Sequence, residues 1–394
     1  MPIRLAEAAE TGSASSTNAT AHAAFVPIGM VTVLLGPLLP ILSARWSLNY
    51  SQAGSLFTAQ FFGATVGVLL SGVIASRLGF RFAINAGLFA MAVGVGALPL
   101  SSKLQGPICI VCYGLGIGLA IPAANLLVAA MNPERRGAAL SLLNFLWSAG
   151  AVACPFVVAA AVKFHLIQLF LIVLAGVLLA VFVAIASSNS FVEPVLESRN
   201  QKSNLSPVLR NWRSLVVIAG LFFLYVGAES SFGGWIASYA KRLGTASPSL
   251  SVVTPSFFYA AIMLGRWMTP WVLKRMDEIR TAQVALSVAF VGMAGLIFSP
   301  SLPLVTMTAS VAGLGLAAVY PITIARLSQE FGPNASRVGS AMFTIANFGG
   351  ASLPWMVGYF SLKFNNLAVG LMVPLCATGL MLILYRFNSF SREI

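Results

Sequence analysis

Apolar runs of about 20 residues recur along the whole chain, and each is long enough for a helix that crosses a bilayer. Twelve can be read, beginning near Phe25, Ser51, Ala83, Gly106, Gly137, His165, Ser214, Leu250, Thr281, Leu302, Val338 and Leu367. Lipid offers no partner for backbone N–H and C=O groups, so a segment at that depth must satisfy them internally, as a helix does. Charged side chains make up 8% of the 394 residues and mean hydropathy is +0.89, whereas soluble domains carry about 25% charge. The sequence therefore predicts an all-α polytopic membrane protein with twelve transmembrane helices.

The net charge of +13 would suit a nucleic-acid binder. Its distribution argues against one, because the basic residues are spread over short loops. Positive charge in loops is the orientation signal of membrane proteins. With the N-terminus inside, 17 of the 23 Lys and Arg residues fall in inner segments and six in outer ones. Both termini are thus expected in the cytoplasm, with the chain in the plasma membrane, a bacterial inner membrane in particular. The Ala/Ser/Thr-rich tail up to Thr20 has no apolar core followed by a cleavage site and reads as cytoplasmic, not as a signal peptide.

The longest polar break, Ser187 to Arg213, separates six spans from six. The expected organisation is a tail (1–24), an N-terminal bundle (25–187), a cytoplasmic linker (188–213), a C-terminal bundle (214–387) and a short tail (388–394). The halves are related at an offset of 199 residues: Gly114, Gly116 and Pro122 recur as Gly313, Gly315 and Pro321, and Gly150 and Pro155 as Gly349 and Pro354. Two parallel six-helix repeats with a midplane site between them are a transporter architecture. Small residues at the crossings let backbones approach closely.

The segment Gly72-Val-Ile-Ala-Ser-Arg77-Leu-Gly-Phe-Arg81 resembles the 2–3 loop signature of the major facilitator superfamily, G-x-x-x-D-R-x-G-R-R. Ser76 stands where that pattern has Asp, and Phe80 replaces an arginine. Gly265-Arg266-Trp-Met-Thr-Pro270 is similar to the 8–9 version, Asn132-Pro-Glu134-Arg135-Arg-Gly137 fills the 4–5 loop, and Ser148 to Pro155 is similar to the fifth-span motif. The resemblance implies two six-helix bundles and an inner gate drawn from Gly72, Arg77, Arg81, Glu134, Arg135, Gly265 and Arg266. Plain positive-inside anchoring is the alternative for each arginine. Four stretches (GLGIGLAIPAANLL from Gly114, Asn132 to Pro155, LYVGAESSFGGWIASY from Leu224, and Gly313 to Pro321) resemble the fucose/glucose/galactose symporter family. That resemblance implies ion-driven sugar uptake. The fucose permease type carries carboxylates in the first and fourth spans; here the first has no acid and the fourth offers Asn125.

Glu229 is the one carboxylate stranded inside an apolar segment; the other nine acids lie in tails, loops or span ends. A carboxylate at the membrane centre costs about 2.5–3.5 kcal/mol on insertion scales and marks a functional site by default. At 1.5 Å per residue it lies roughly 24 Å along the helix from Arg213 and roughly 18 Å from Lys241, near the midplane. It is the candidate to couple H+ or Na+ and to bind substrate. Tyr225 shares its face. Gly233-Gly234 invites a helix break, which would turn Trp235 inward. A carboxylate locked to tyrosine or serine hydroxyls is the structural alternative.

Gln60, Asn125, Asn144 and Asn347 lie inside spans, where amides serve either sugar hydroxyls or interhelical hydrogen bonds. Tyr113, Trp147, Tyr259 and Tyr320 either stack on a sugar ring or pack. Cys109 and Cys112 form a C-x-x-C inside an apolar helix with no second pair, a packing pattern, so no metal or cofactor is expected. The sequence lacks a Walker A loop and H-E-x-x-H, and its two histidines, His22 and His165, sit near span ends. ATP-driven pumping and intramembrane hydrolysis are excluded, which leaves a non-enzymatic monomer in the bilayer with a small-molecule substrate. The expected function is alternating-access symport of a sugar or similar small polar solute with H+ or Na+. The alternative is proton-coupled export of amphipathic drugs or lipid-like molecules.

Overall fold

A computed structural model describes residues 19–132, 135–188, 211–243, 247–332 and 335–390. Every regular element among them is helical. The first span is a bent pair, Ala19–Val33 and Leu35–Arg45; Pro37 follows the bend and has no N–H to return to Val33. The next five are Tyr50–Leu78, Phe80–Ala97, Gly106–Met131, Arg136–Lys163 and Ile167–Ser187. The seventh to ninth are Trp212–Arg242, Pro248–Val272 and Glu278–Ile297. The tenth is Leu302–Ala317 continued by Val319–Phe331, the eleventh Ala335–Lys363, and the twelfth Leu367–Gly370 continued by Met372–Phe390. Among the described residues, ten helices are long and apolar enough to cross a membrane and the bent pair adds an eleventh. The 29-residue helix Ala335–Lys363 completes the twelve segments.

Starts are set by local chemistry. Ser247 accepts a hydrogen bond from the Leu250 N–H, with Pro248 in the first turn, and the Asp277 carboxylate accepts from the Arg280 N–H at 2.8 Å. These caps satisfy backbone donors that have no partner inside the helix.

By packing, the chain divides into two compact units. One comprises Met1–Thr32, Phe62–Cys154 and Leu166–Arg199, the other Val33–Phe61, Pro155–His165 and Asn200–Ile394. The internal repeat is visible inside each unit. A Cβ on Gly116 of the fourth span would lie 2.4 Å from the Gly87 carbonyl oxygen of the third, and one on Gly315 of the tenth would lie 2.2 Å from the Ala289 nitrogen of the ninth. Likewise a Cβ on Gly150 would lie 2.0 Å from the Val26 oxygen, and one on Gly349 would lie 2.0 Å from the Phe223 oxygen. The prolines do not follow the symmetry. Pro122 sits inside a continuous fourth span, whereas the tenth is interrupted at Ala318, where Pro321 cannot donate to the Ala317 carbonyl.

Gly349→Val drives methyls into a backbone carbonyl that cannot turn away. The cost is expected at or above the top of the about 1–3 kcal/mol range of overpacked substitutions. Size-exclusion profiles in detergent should show loss of the monodisperse peak. Gly176→Ala is the control, since a Cβ there meets nothing within 4 Å.

A second repeat lies at the turns after the fifth and eleventh spans. Lys163-Phe164-His165 and Lys363-Phe364-Asn365 each place a lysine over a phenylalanine ring, at 5.6 and 5.8 Å, followed by a residue of positive φ, 60° and 48°. His165 thus serves the turn: histidine and asparagine enter the left-handed region more readily than most side chains.

Candidate functional site

Glu229 lies near the middle of the seventh span, a single 31-residue helix. It faces Arg266 of the eighth span, with 3.9 Å between Oε1 and Nη2; the two side chains keep 15% and 23% of their exposure. Tyr225, one turn before Glu229, is buried, and its hydroxyl is placed beside both charges. Among the described residues it has no hydrogen-bond partner of ordinary geometry. Tyr320 of the tenth span closes the group, its ring 5.4 Å from that of Tyr225 at 32°. Phe222 meets Tyr320 edge-on at 5.8 Å and belongs to a buried apolar cluster with Ile218, Leu327, Phe331 and Met342. The four polar residues therefore sit on a packed floor. Together they offer two carboxylate acceptors, a guanidinium fork and two phenols that both donate and accept.

The sequence reading counted Arg266 among the inner segments and the gate; the structure places it within a helix, beside Glu229. Gly265 and Arg266 lie inside the helix Pro248–Val272, and the 8–9 connection begins only at Leu273. A Cβ on Gly265 would come 2.5 Å from the Ala317 Cβ, so this glycine serves the crossing of the eighth and tenth spans. The signal was present: Arg266 interrupts YAAIMLGRWM as Glu229 interrupts its own segment. Two opposite charges in lipid-spanning helices are each expensive alone and cheaper together.

The helix break expected just before Trp235 is corrected. The helix does not break at Gly233-Gly234. Those glycines admit neighbours instead: a Cβ on Gly233 would meet the Tyr259 hydroxyl at 2.6 Å, and one on Gly234 would meet the Phe57 ring at 2.5 Å. The buried Trp235 indole donates to the Pro354 carbonyl at 3.1 Å and packs against Tyr50 and Phe57, with ring centroids 6.3 Å away in both cases. Tyr259 is buried, its ring edge-on to Phe258 at 5.2 Å. Gln60 is buried on the second span and Asn347 half-buried on the eleventh. Within the first unit, Asn125 donates to the Ile121 carbonyl and Asn144 to the Leu140 carbonyl, both at 2.8 Å, each one turn back on its own helix. Trp147 donates to the Thr32 hydroxyl at 3.3 Å, and Tyr113 is buried.

The family model of the Major Facilitator Superfamily matches residues 22–354. The chain belongs to the Major Facilitator Superfamily. It is a non-enzymatic, multi-pass membrane transporter. The glucose/mannose transporter of Bacillus subtilis is 21% identical, over 86% of this chain and 86% of that one. The glucose/galactose transporter of Brucella abortus is 25% identical, over 84% of each chain. The crystal structure of an Escherichia coli fucose:proton symporter superposes with a TM-score of 0.64 at 18% identity, covering 94% of this chain and 98% of that one. That likeness concerns the fold.

The superfamily's 2–3 loop segment is short here, since the second span ends at Leu78 and the third starts at Phe80 around Gly79, at φ 90°. Gly72 and Arg77 are exposed on the last turns of the second span. Arg81 reaches the end of the sixth span, its Nε donating to the Ile185 carbonyl at 3.0 Å and its Nη2 to that of Ala186. A cation at these last carbonyls complements the helix dipole. Arg135 is exposed, and Glu134 lies outside the described residues.

Proposed function

We propose that this transporter carries a sugar or similar small polar solute in symport with H+ or Na+, and that Glu229 carries the ion. The observation behind this reading is the Glu229–Arg266 pair with Tyr225 and Tyr320. It joins an ionisable group at membrane depth to donors and acceptors that suit a polyol. The two transporters named for glucose point the same way. In this reading the halves 25–187 and 214–387, joined by the linker 188–213, rock about a central site in a monomer. The chain sits in a bacterial inner membrane with both termini in the cytoplasm, as the loop charges favour.

Thermal unfolding of the purified protein with sugars, lipophilic cations and sodium, at pH 5.5 and 7.5, tests the reading. A ligand at a hundredfold excess over its dissociation constant stabilises the folded state by about 2.7 kcal/mol. A polar solute that raises the melting temperature in wild type, with the shift altered in Glu229→Gln, is the expected result. A shift with lipophilic cations alone would replace symport by export.

A further inference from the structure

We infer that the C-terminal end of the eighth span is a docking surface for an anionic phospholipid, its chains lying on Trp267 and Trp271 and its phosphate held by Lys274 and Arg275. The helix Pro248–Val272 has two faces. On one, Arg266 faces Glu229, and Phe258, Ile262 and Thr269 are buried. On the other, Leu264, Trp267, Met268 and Trp271 recur at helical spacing and form one stripe. All four are exposed, the two indoles at 63% and 49%. At 3.6 residues per turn this stripe lies roughly opposite Arg266 and so points away from the Glu229 site.

Two features select the occupant. The first is aromatic. The Trp267 and Trp271 rings meet edge to face, with centroids 4.3 Å apart at 80°. An indole has an apolar body and a polar N–H, so it settles where acyl chain meets headgroup. The second is charge. Beyond Val272 the chain keeps turning, and the Arg275 and Met276 N–H groups both donate to the Val272 carbonyl. This turn sets Lys274 and Arg275 at the end of the stripe. Both are exposed and make no ion pair among the described residues. The acids that follow are engaged elsewhere. The Asp277 carboxylate caps the next helix and lies 3.4 Å from Arg280, and Glu278 accepts from the Gln329 amide at 3.2 Å. Basic side chains just beyond a span attract anionic headgroups, and here the aromatic pair adds a seat for the chains. The matching span of the first half, Tyr50–Leu78, has no tryptophan, so the surface does not follow from the repeat alone.

Tryptophan fluorescence of the full chain in phosphatidylcholine vesicles holding a minor fraction of phosphatidylglycerol tests this. Brominated chains, which quench the indoles they touch, are carried either by the phosphatidylglycerol or by an equal amount of the phosphatidylcholine. The share of quenching due to Trp267 and Trp271 is read as wild type minus Trp267→Phe/Trp271→Phe. It should be at least threefold larger with brominated phosphatidylglycerol. The same difference measured with Lys274→Gln/Arg275→Gln in both proteins should be equal for the two lipids. With Lys163→Gln/Lys363→Gln, which removes as much charge elsewhere, the excess should remain. Equal quenching by both lipids in the original pair, or an excess that survives Lys274→Gln/Arg275→Gln, overturns the inference. So does loss of the excess on adding glycerol 3-phosphate, which would make the turn a site for free phosphates. Quenching by neither lipid would put a second copy of the chain on the stripe and overturns it as well.

Discussion

Glu229→Gln is expected to abolish gradient-driven accumulation while leaving solute exchange intact. With one ion carried per solute, a hundredfold gradient of H+ or Na+ supports up to about a hundredfold accumulation, equivalent to about 2.7 kcal/mol. Glutamine keeps the shape of the side chain and part of its hydrogen bonding but cannot take up the ion. The accumulation ratio should therefore fall to unity. Exchange of labelled for unlabelled solute needs no net ion movement, so it continues and shows that the variant is folded. The measurement is radiolabelled uptake into proteoliposomes under an imposed pH or sodium gradient, with exchange measured in the same vesicles. Undiminished accumulation would remove Glu229 from the coupling role.

The long-range plan of the fold was legible because it rests on local physics. Span starts depend on where apolar runs begin, and the observed helices at Tyr50, Gly106, Arg136, Leu302 and Leu367 begin within one residue of the sequence expectation. The repeat was legible through Gly116/Gly315 and Gly150/Gly349, because a crossing that close excludes any side chain. Glu229 was legible because a lone acid in an apolar run is costly wherever it points. Arg266 was not, because an arginine six residues before its helix ends at Val272 is also what snorkelling and loop anchoring produce. Its pairing with Glu229 depends on how the seventh and eighth spans are rotated against each other, which hydropathy does not encode. Gly233-Gly234 was ambiguous for a related reason. A glycine pair weakens a helix and also permits close approach, and Phe57 and Tyr259 decide for the second. The turns at Lys163-Phe164-His165 and Lys363-Phe364-Asn365 repeat in conformation, but His and Asn share only a tolerance for positive φ, so the residue letters conceal the relation.

Arg266→Gln alone is expected to destabilise the protein by about 3 kcal/mol, and Glu229→Gln/Arg266→Gln to recover most of that loss. Removing one member of a buried pair leaves the other charge uncompensated, and such truncations cost about 3–5 kcal/mol. The lower end applies here because the Arg266 and Glu229 side chains keep 23% and 15% of their exposure. Replacing both removes the desolvation cost of the two charges together with their attraction, so neither charge is left uncompensated. A double-mutant cycle on equilibrium unfolding in mixed micelles isolates the coupling between them. Additive losses would mean that the two side chains do not sense each other across 3.9 Å. A positive coupling energy would support the pair as the element that ties ion to solute.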